Sequence, residues 1–155
     1  MKRNKVKLWP HHIIDIVTDH GNNIQHRPHP YGHSQHLIAP LILSDPGLCI
    51  TLVVEADEIC KGCRNLLPDG RCKDVLGQLH PSPSKQAYND VLDCRLLDHF
   101  GLMPGRNLTA HDYLQIVNSF TPGVEKICTH PKEDPEDRLA GLKRGLMKLG
   151  LRNDY

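Results

Sequence analysis

Three thiols crowd one short stretch of this chain. In EICKGCRNLLPDGRC, residues 58–72, Cys60 and Cys63 form a C-x2-C pair and Cys72 follows after eight intervening residues. A C-x2-C pair turns two thiolates toward one centre from a single tight turn, and Gly62 inside it relieves the backbone. Pro68 and Gly70 let the intervening chain fold back and offer a third sulfur. Such a triple suits a metal ion or an iron–sulfur cluster. The main competitor is a dithiol redox pair, but that usually opens a helix after a strand and has no third cysteine beside it. A fourth ligand must come from elsewhere. Cys128, in the loop segment EKICTHP, is the favoured candidate, and the carboxylate of Asp15 is second. Cys94 shares a helical face with Ala87, Val91 and Leu97, and Cys49 lies among apolar strand residues, so both read as buried, inert thiols. His130 is close enough in sequence to Cys128 to hydrogen-bond a ligand sulfur.

Histidines are the second chemical signal. Of the 11 in the chain, most fall between His11 and His36. The group His11-His12-x-x-Asp15 is the sharper one. At i, i+4 spacing His11 can hydrogen-bond Asp15, which would fix its tautomer and raise its basicity for use as a general base or metal ligand. The plainer reading is a first helical turn with exposed imidazoles. A helix starting at Pro10 also aims its N-terminal amides past its own end, where they favour a bound anion, so a small anionic substrate is one expected partner. The irregular spacing in HRPHPYGHSQH reads as a solvated loop, with a second metal site or a substrate lid as alternatives.

The elements that must position these groups can be placed from punctuation and periodicity. Pro10 and Gly21 bracket a helix, HHIIDIVTDHG, with His11, Ile14, Asp15 and Thr18 on one face and Ile13, Ile16 and Val17 mainly on the other. Residues 22–36 form the polar, His-rich loop. HLIAPLIL is a helix or strand interrupted by Pro40, and LCITLVV has the β-branched content of a buried strand. Ser84 caps a helix through Phe100 that stops at Gly101, and Thr109 with Asp112 opens another through Phe120. Residues 135–150 form a C-terminal amphipathic helix whose stripe is Leu139, Leu142, Leu146 and Leu149. The expected fold is a small, single α+β domain over 1–155, mainly helical, with helices packed around one short strand element and a Cys-rich metal loop.

Composition sets the outer bounds. Nineteen Lys and Arg against 18 Asp and Glu leave a formal charge of +1, which provides no field for nucleic acid or an anionic membrane. No segment reaches the roughly 20 apolar residues needed to span a bilayer, and the start lacks a signal-peptide run. The expected setting is the cytoplasm, where six cysteines point to metal chemistry rather than disulfides. Dinucleotide, phosphate-loop, serine-hydrolase and haem-attachment motifs are all missing.

In order along the chain, WPHHIID, the segment Asp57–Cys63, Cys72 and the segment Asp93–Gly105 resemble the motifs of a small prokaryotic family described as iron–sulfur binding. That resemblance implies an iron–sulfur cofactor, with 4Fe–4S the favoured form, where the spacing alone also allows zinc. The family pattern carries a cysteine after the two histidines, and this chain has Asp15 there. Two functions follow as expectations. In one, Cys60, Cys63, Cys72 and Cys128 close off a cluster in an accessory or electron-transfer protein with a redox partner. In the other, three cysteines leave one iron open beside His11, His12 and Asp15, as in a lyase or hydrolase acting on a small anionic molecule. Oligomeric state is not readable from these features.

Overall fold

A computed structural model of the chain describes residues 5–55, 57–77, 84–129 and 133–151. It opens with strand β1 (Val6–Leu8), helix α1 (Pro10–Gly21) and helix α2 (Gln35–Ser44), then strand β2 (Cys49–Leu52). A 3-10 turn at Glu58–Cys60 leads into the cysteine loop. Helix α3 (Lys85–Phe100), strand β3 (Asn107–Thr109) and helices α4 (Ala110–Ser119), α5 (Glu125–Cys128) and α6 (Pro135–Lys148) complete the described residues. The α+β, mainly helical class is as expected, and the sheet is larger than the single strand expected. β1 and β2 run parallel, with Val6 opposite Ile50, and β3 is antiparallel to β2, with Cys49 opposite Thr109. β1 and β3 are three residues each, too short to show alternation in a sequence.

The capping chemistry matches the sequence. Ser84 accepts from the Ala87 N–H and Thr109 from the Asp112 N–H, while Gly101 closes α3 in the left-handed region at φ 68°. The ambiguous segment around Pro40 is helical, as α2. Among the described residues no helix is long and apolar enough to cross a membrane.

The helix α1 departs from its expected two-faced character. His11, Ile13, Ile14, Ile16, Val17 and Thr18 are all buried, because α6, α3 and α2 all pack against this helix. Gly21 does more than end the helix. A Cβ there would stand 2.0 Å from the Gly141 carbonyl oxygen, and one on Gly145 would stand 1.9 Å from the Val17 carbonyl oxygen. Only glycine lets α1 and α6 lie this close. Leu142 and Leu146 then reach the core that also holds Leu8, Ile50, Leu96 and Tyr113. The N-terminal turn of α1 is thereby held beside α3 and the cysteine loop.

Candidate metal and ligand site

The cysteine loop is built as its turn residues require. Gly62 sits at φ +82° and Gly70 at φ +86°, and the Cys63 N–H donates to the Cys60 carbonyl at 3.0 Å. Beyond the turn the chain doubles back. The Leu67 N–H donates to the Arg71 carbonyl, the Lys73 N–H donates to the Asn65 carbonyl, and Leu66 pairs antiparallel with Cys72. Gln86 on α3 fixes the far end by accepting the Cys72 N–H at 2.9 Å. All six cysteines are free thiols.

The His-rich loop is largely exposed through residue 30, as expected of a solvated loop, and its end straps the cysteine loop. The Ser34 N–H donates to the Ile59 carbonyl at 2.7 Å, the Ser34 hydroxyl to the Lys61 carbonyl at 2.8 Å, and the Arg64 N–H to the Tyr31 carbonyl at 2.7 Å. The Arg64 guanidinium lies 4.2 Å from the Tyr31 ring centre. Gly32 and Gly62 face each other so closely that a Cβ on either would meet the other's carbonyl oxygen at 2.5 to 2.6 Å. His29 and His33 stack with ring centres 4.6 Å apart. Backbone amides of Tyr31 and Gln35 donate to their Nδ1 atoms, so each neutral ring carries its proton on Nε2, a poor arrangement for a metal ligand.

Beside the strapped loop, the expected contact between His11 and Asp15 does not form. Asp93, fully buried on α3, accepts the His11 N–H through Oδ1 at 2.8 Å and the His11 Nδ1–H through Oδ2 at 2.6 Å. Asp57 has a matching role for His12. Its Oδ2 accepts the Trp9 N–H at 2.8 Å and the His12 Nδ1–H at 2.7 Å, and its Oδ1 accepts the Ile59 N–H and the Cys60 thiol. Asp15 instead pairs with Arg138 of α6. The α1 geometry places Asp15 over α6, and the long Arg138 side chain meets it there before His11 can. The amides expected to favour a bound anion at the start of α1 are also taken: Trp9's by Asp57 and His11's by Asp93.

These contacts set the protonation states. Burial works to lower His12, and the charge and hydrogen bond of Asp57 more than offset it, leaving the imidazole above its ordinary value. Burial would raise Asp57, but His12 and the Trp9 amide hold it below the usual carboxylate range. Burial likewise opposes the Arg138 charge at Asp15, and the Arg138 charge wins, lowering Asp15. Burial, reinforced by Asp57, pushes the Cys60 thiol up to about 12. Burial also pushes the Cys128 thiol up to about 11, with Arg138 opposing.

One cavity of about 880 Å3 joins these groups. Its wall includes Cys60, Cys63, Cys72 and Cys128, together with His11, His12 and Asp15. These are the seven residues the sequence reading favoured, and all of them line this one cavity. Cys128 is not in a loop; it ends α5, is 3% exposed, and adjoins Arg138 and Asp15. Cys94 is a correction. It faces solvent with Ala87 and Val91, because α3 turns Asn89, Leu92, Asp93 and Leu96 inward. Cys49 is half-buried in β2 and lies outside the cavity wall. His130 lies outside the described residues. No group of three or more His, Cys, Asp or Glu side chains among the described residues is arranged to hold a metal ion.

No family model, curated protein or solved structure matches the chain. The likeness to the iron–sulfur family rests on its motifs alone. Asp57, Asp93 and Arg138 carried no role in the sequence reading. A signal did exist for the first two, since each opens one of the matched motifs, but their partners lie 45 and 82 positions away.

Proposed function

We propose that this protein binds an iron–sulfur cluster in the cavity, through Cys60, Cys63 and Cys72 with Cys128 as the remote ligand. The observation that carries the reading is the shared cavity: a loop held open by glycines and strapped from outside brings three free thiols to the wall that Cys128 reaches from α5. Cysteine thiolates are the donor type that iron–sulfur clusters take. A single zinc held by thiolates needs its sulfurs about 3.8 Å apart, from Zn–S bonds near 2.3 Å. A cluster separates its ligands more widely. Raised thiols mean that binding must expel protons, so loading is favoured as pH rises. The likeness to the family's motifs supports iron over zinc, and cysteines kept as free thiols fit a cytoplasmic setting.

A second reading is favoured by the two histidines. Each spends Nδ1 on its own buried carboxylate, which leaves Nε2 as the free ring nitrogen at the cavity wall. That is how a general base or a ligand-orienting imidazole is held. With three cysteines as ligands, a bound cluster would supply an open iron acting as a Lewis acid. His11 and His12 would then hold or move a proton on a small molecule, in lyase or hydrolase chemistry. With four, the cluster serves electron transfer to a partner protein.

The deciding experiment is iron and acid-labile sulfide analysis of anaerobically purified protein and of its single Cys→Ser variants. Loss of iron at positions 60, 63 and 72 but not 128 favours the enzyme, and loss at all four favours the closed cluster. A colourless protein with one zinc sinks both.

A further inference from the structure

A serine at the start of a helix ordinarily turns its hydroxyl back to accept an amide of the first turn. Ser34 stands at that position of α2 and does not do so. Its backbone lies at φ −100° and ψ 16°, outside the extended region of a capping residue. Its hydroxyl points the other way and donates at 2.8 Å to the Lys61 carbonyl, inside the C-x2-C turn. The helix forgoes a cap and the turn gains a tie. The rest of the strap is held as lightly. Among the described residues, segment 28–34 bonds outside itself and α2 only through Tyr31 and Ser34, to Arg64, Ile59 and Lys61. Gly32 meets Gly62 backbone on backbone with no side chain interleaved, so the two segments can part without unpacking a core. Residues 22–30, which lead into the strap, are exposed apart from His26. Tyr31, His33 and Gln35 line the cavity with Cys60 and Cys63, so lifting the strap opens the cavity on its cysteine side.

We propose that residues 31–34 are a gate over Cys60 and Cys63 that opens as one unit, with the Ser34 hydroxyl as its latch. Closed, the hydroxyl donates to Lys61. Open, it accepts a first-turn amide of α2, and this new cap offsets one of the bonds lost, which narrows the step to a minor open state. The gate covers the turn that offers two of the thiols, so it sets how fast a metal or cluster enters and leaves. It rests on the cysteine turn being the functional site and not on which metal the turn holds.

The test is amide hydrogen exchange at single-residue resolution by mass spectrometry on the anaerobically purified protein, with iron measured on the same sample. The Ser34 amide donates across the gate to Ile59, and the Arg64 amide donates across it to Tyr31. Their protection factors are expected to agree within about threefold and to lie at least about tenfold below those of Leu52 and Val53. The latter two amides bond to Arg106 and Leu8 in and beside the sheet. At neutral pH Ser34→Asp can cap α2 but cannot donate to Lys61. It should lower both gate protection factors about five- to tenfold, as loss of one hydrogen bond from the closed state does, and leave Leu52 unmoved. Ser34→Ala loses latch and cap together, so it should stay within about threefold of wild type. Equal opening in the two variants makes the hydroxyl a static contact and overturns the latch. Wild-type exchange of the two amides at unrelated rates, or only together with Leu52, overturns the gate. Access is read as the rate at which iodoacetamide labels Cys60 and Cys63 in iron-free protein, or at which a chelator strips iron where it is bound. That rate should rise in Ser34→Asp in step with the lost protection, and an unchanged rate overturns the gate. If Ser34→Asp does not fold, the wild-type pair and Ser34→Ala decide. Paired exchange in a protein without iron fails the cluster reading alone; iron bound under a strap that never opens fails the gate alone.

Discussion

At the scale of single residues, thiol position decides what each cysteine can do. Cys60, Cys63 and Cys72 are held at the cavity by turns whose glycines no other residue can replace without strain. Replacing any one with serine is expected to remove iron and lower thermal stability, since metal affinity and folding are linked; iron assays and melting curves on the three variants check this. Cys94 is the contrast. It lies on the solvent face of α3, so Cys94→Ala should change stability by no more than about 0.5 kcal/mol and leave iron content intact. A loss of iron there would place a ligand on the outer face of the helix, against the structure. Asp57 has the widest reach of any side chain at the site, touching Trp9, His12, Ile59 and Cys60.

At the scale of elements, the site depends on how closely α1 approaches α6. The backbone-to-backbone contact at Gly21, Gly141 and Gly145 holds α1 at the depth that puts His11 against Asp93. Gly145→Ala would press a methyl group onto the Val17 carbonyl, which backbone cannot yield without parting the helices. A cost of at least about 1–3 kcal/mol is expected, as for other overpacked cores. Gly77→Ala is the control: nothing lies within 4 Å of its added carbon and its φ is not positive, so denaturant midpoints should move for the first variant and barely for the second. If both move alike, α1–α6 packing is looser than the contacts say.

At the scale of the whole molecule, the His12–Asp57 pair ties the start of α1 to the cysteine loop, and its contribution depends on pH. Asp57 is lowered on folding, so its share is present above the unfolded carboxylate value near 3.9 and is lost as pH falls through its folded value. His12 is raised, so its share is full below the unfolded imidazole value near 6.5 and is lost as pH rises through its folded value. The stability difference between wild type and His12→Ala should therefore be largest at about pH 5–6 and shrink toward both acid and alkaline pH. A difference that grows steadily from pH 6 to pH 9 would show that His12 is not held charged by Asp57. If a cluster is bound as proposed, removing it by chelation and oxidation should lower Tm as well, because the unfolded chain would not bind it.

The sequence by itself determined the local features. Helix starts at Pro10, Ser84 and Thr109, the stop at Gly101 and the turn at Gly62 each follow from a residue and its near neighbours. The three-thiol loop was legible for the same reason, since fifteen residues contain the whole device. Tertiary structure decided the pairings. A spacing of four suggested His11 with Asp15, but a helix-surface contact between exposed groups is weak, and the buried carboxylate of Asp93 offers both oxygens to His11 in a low-dielectric setting. Asp15, turned toward α6, meets Arg138 instead. Which face of α3 is buried was also undecided locally, because polar Asn89 and Asp93 point inward while Val91 and Cys94 point out, the reverse of what hydrophobicity suggests. That reversal goes with the cavity: polar groups turn inward where other polar groups are there to meet them, as Asp93 meets His11.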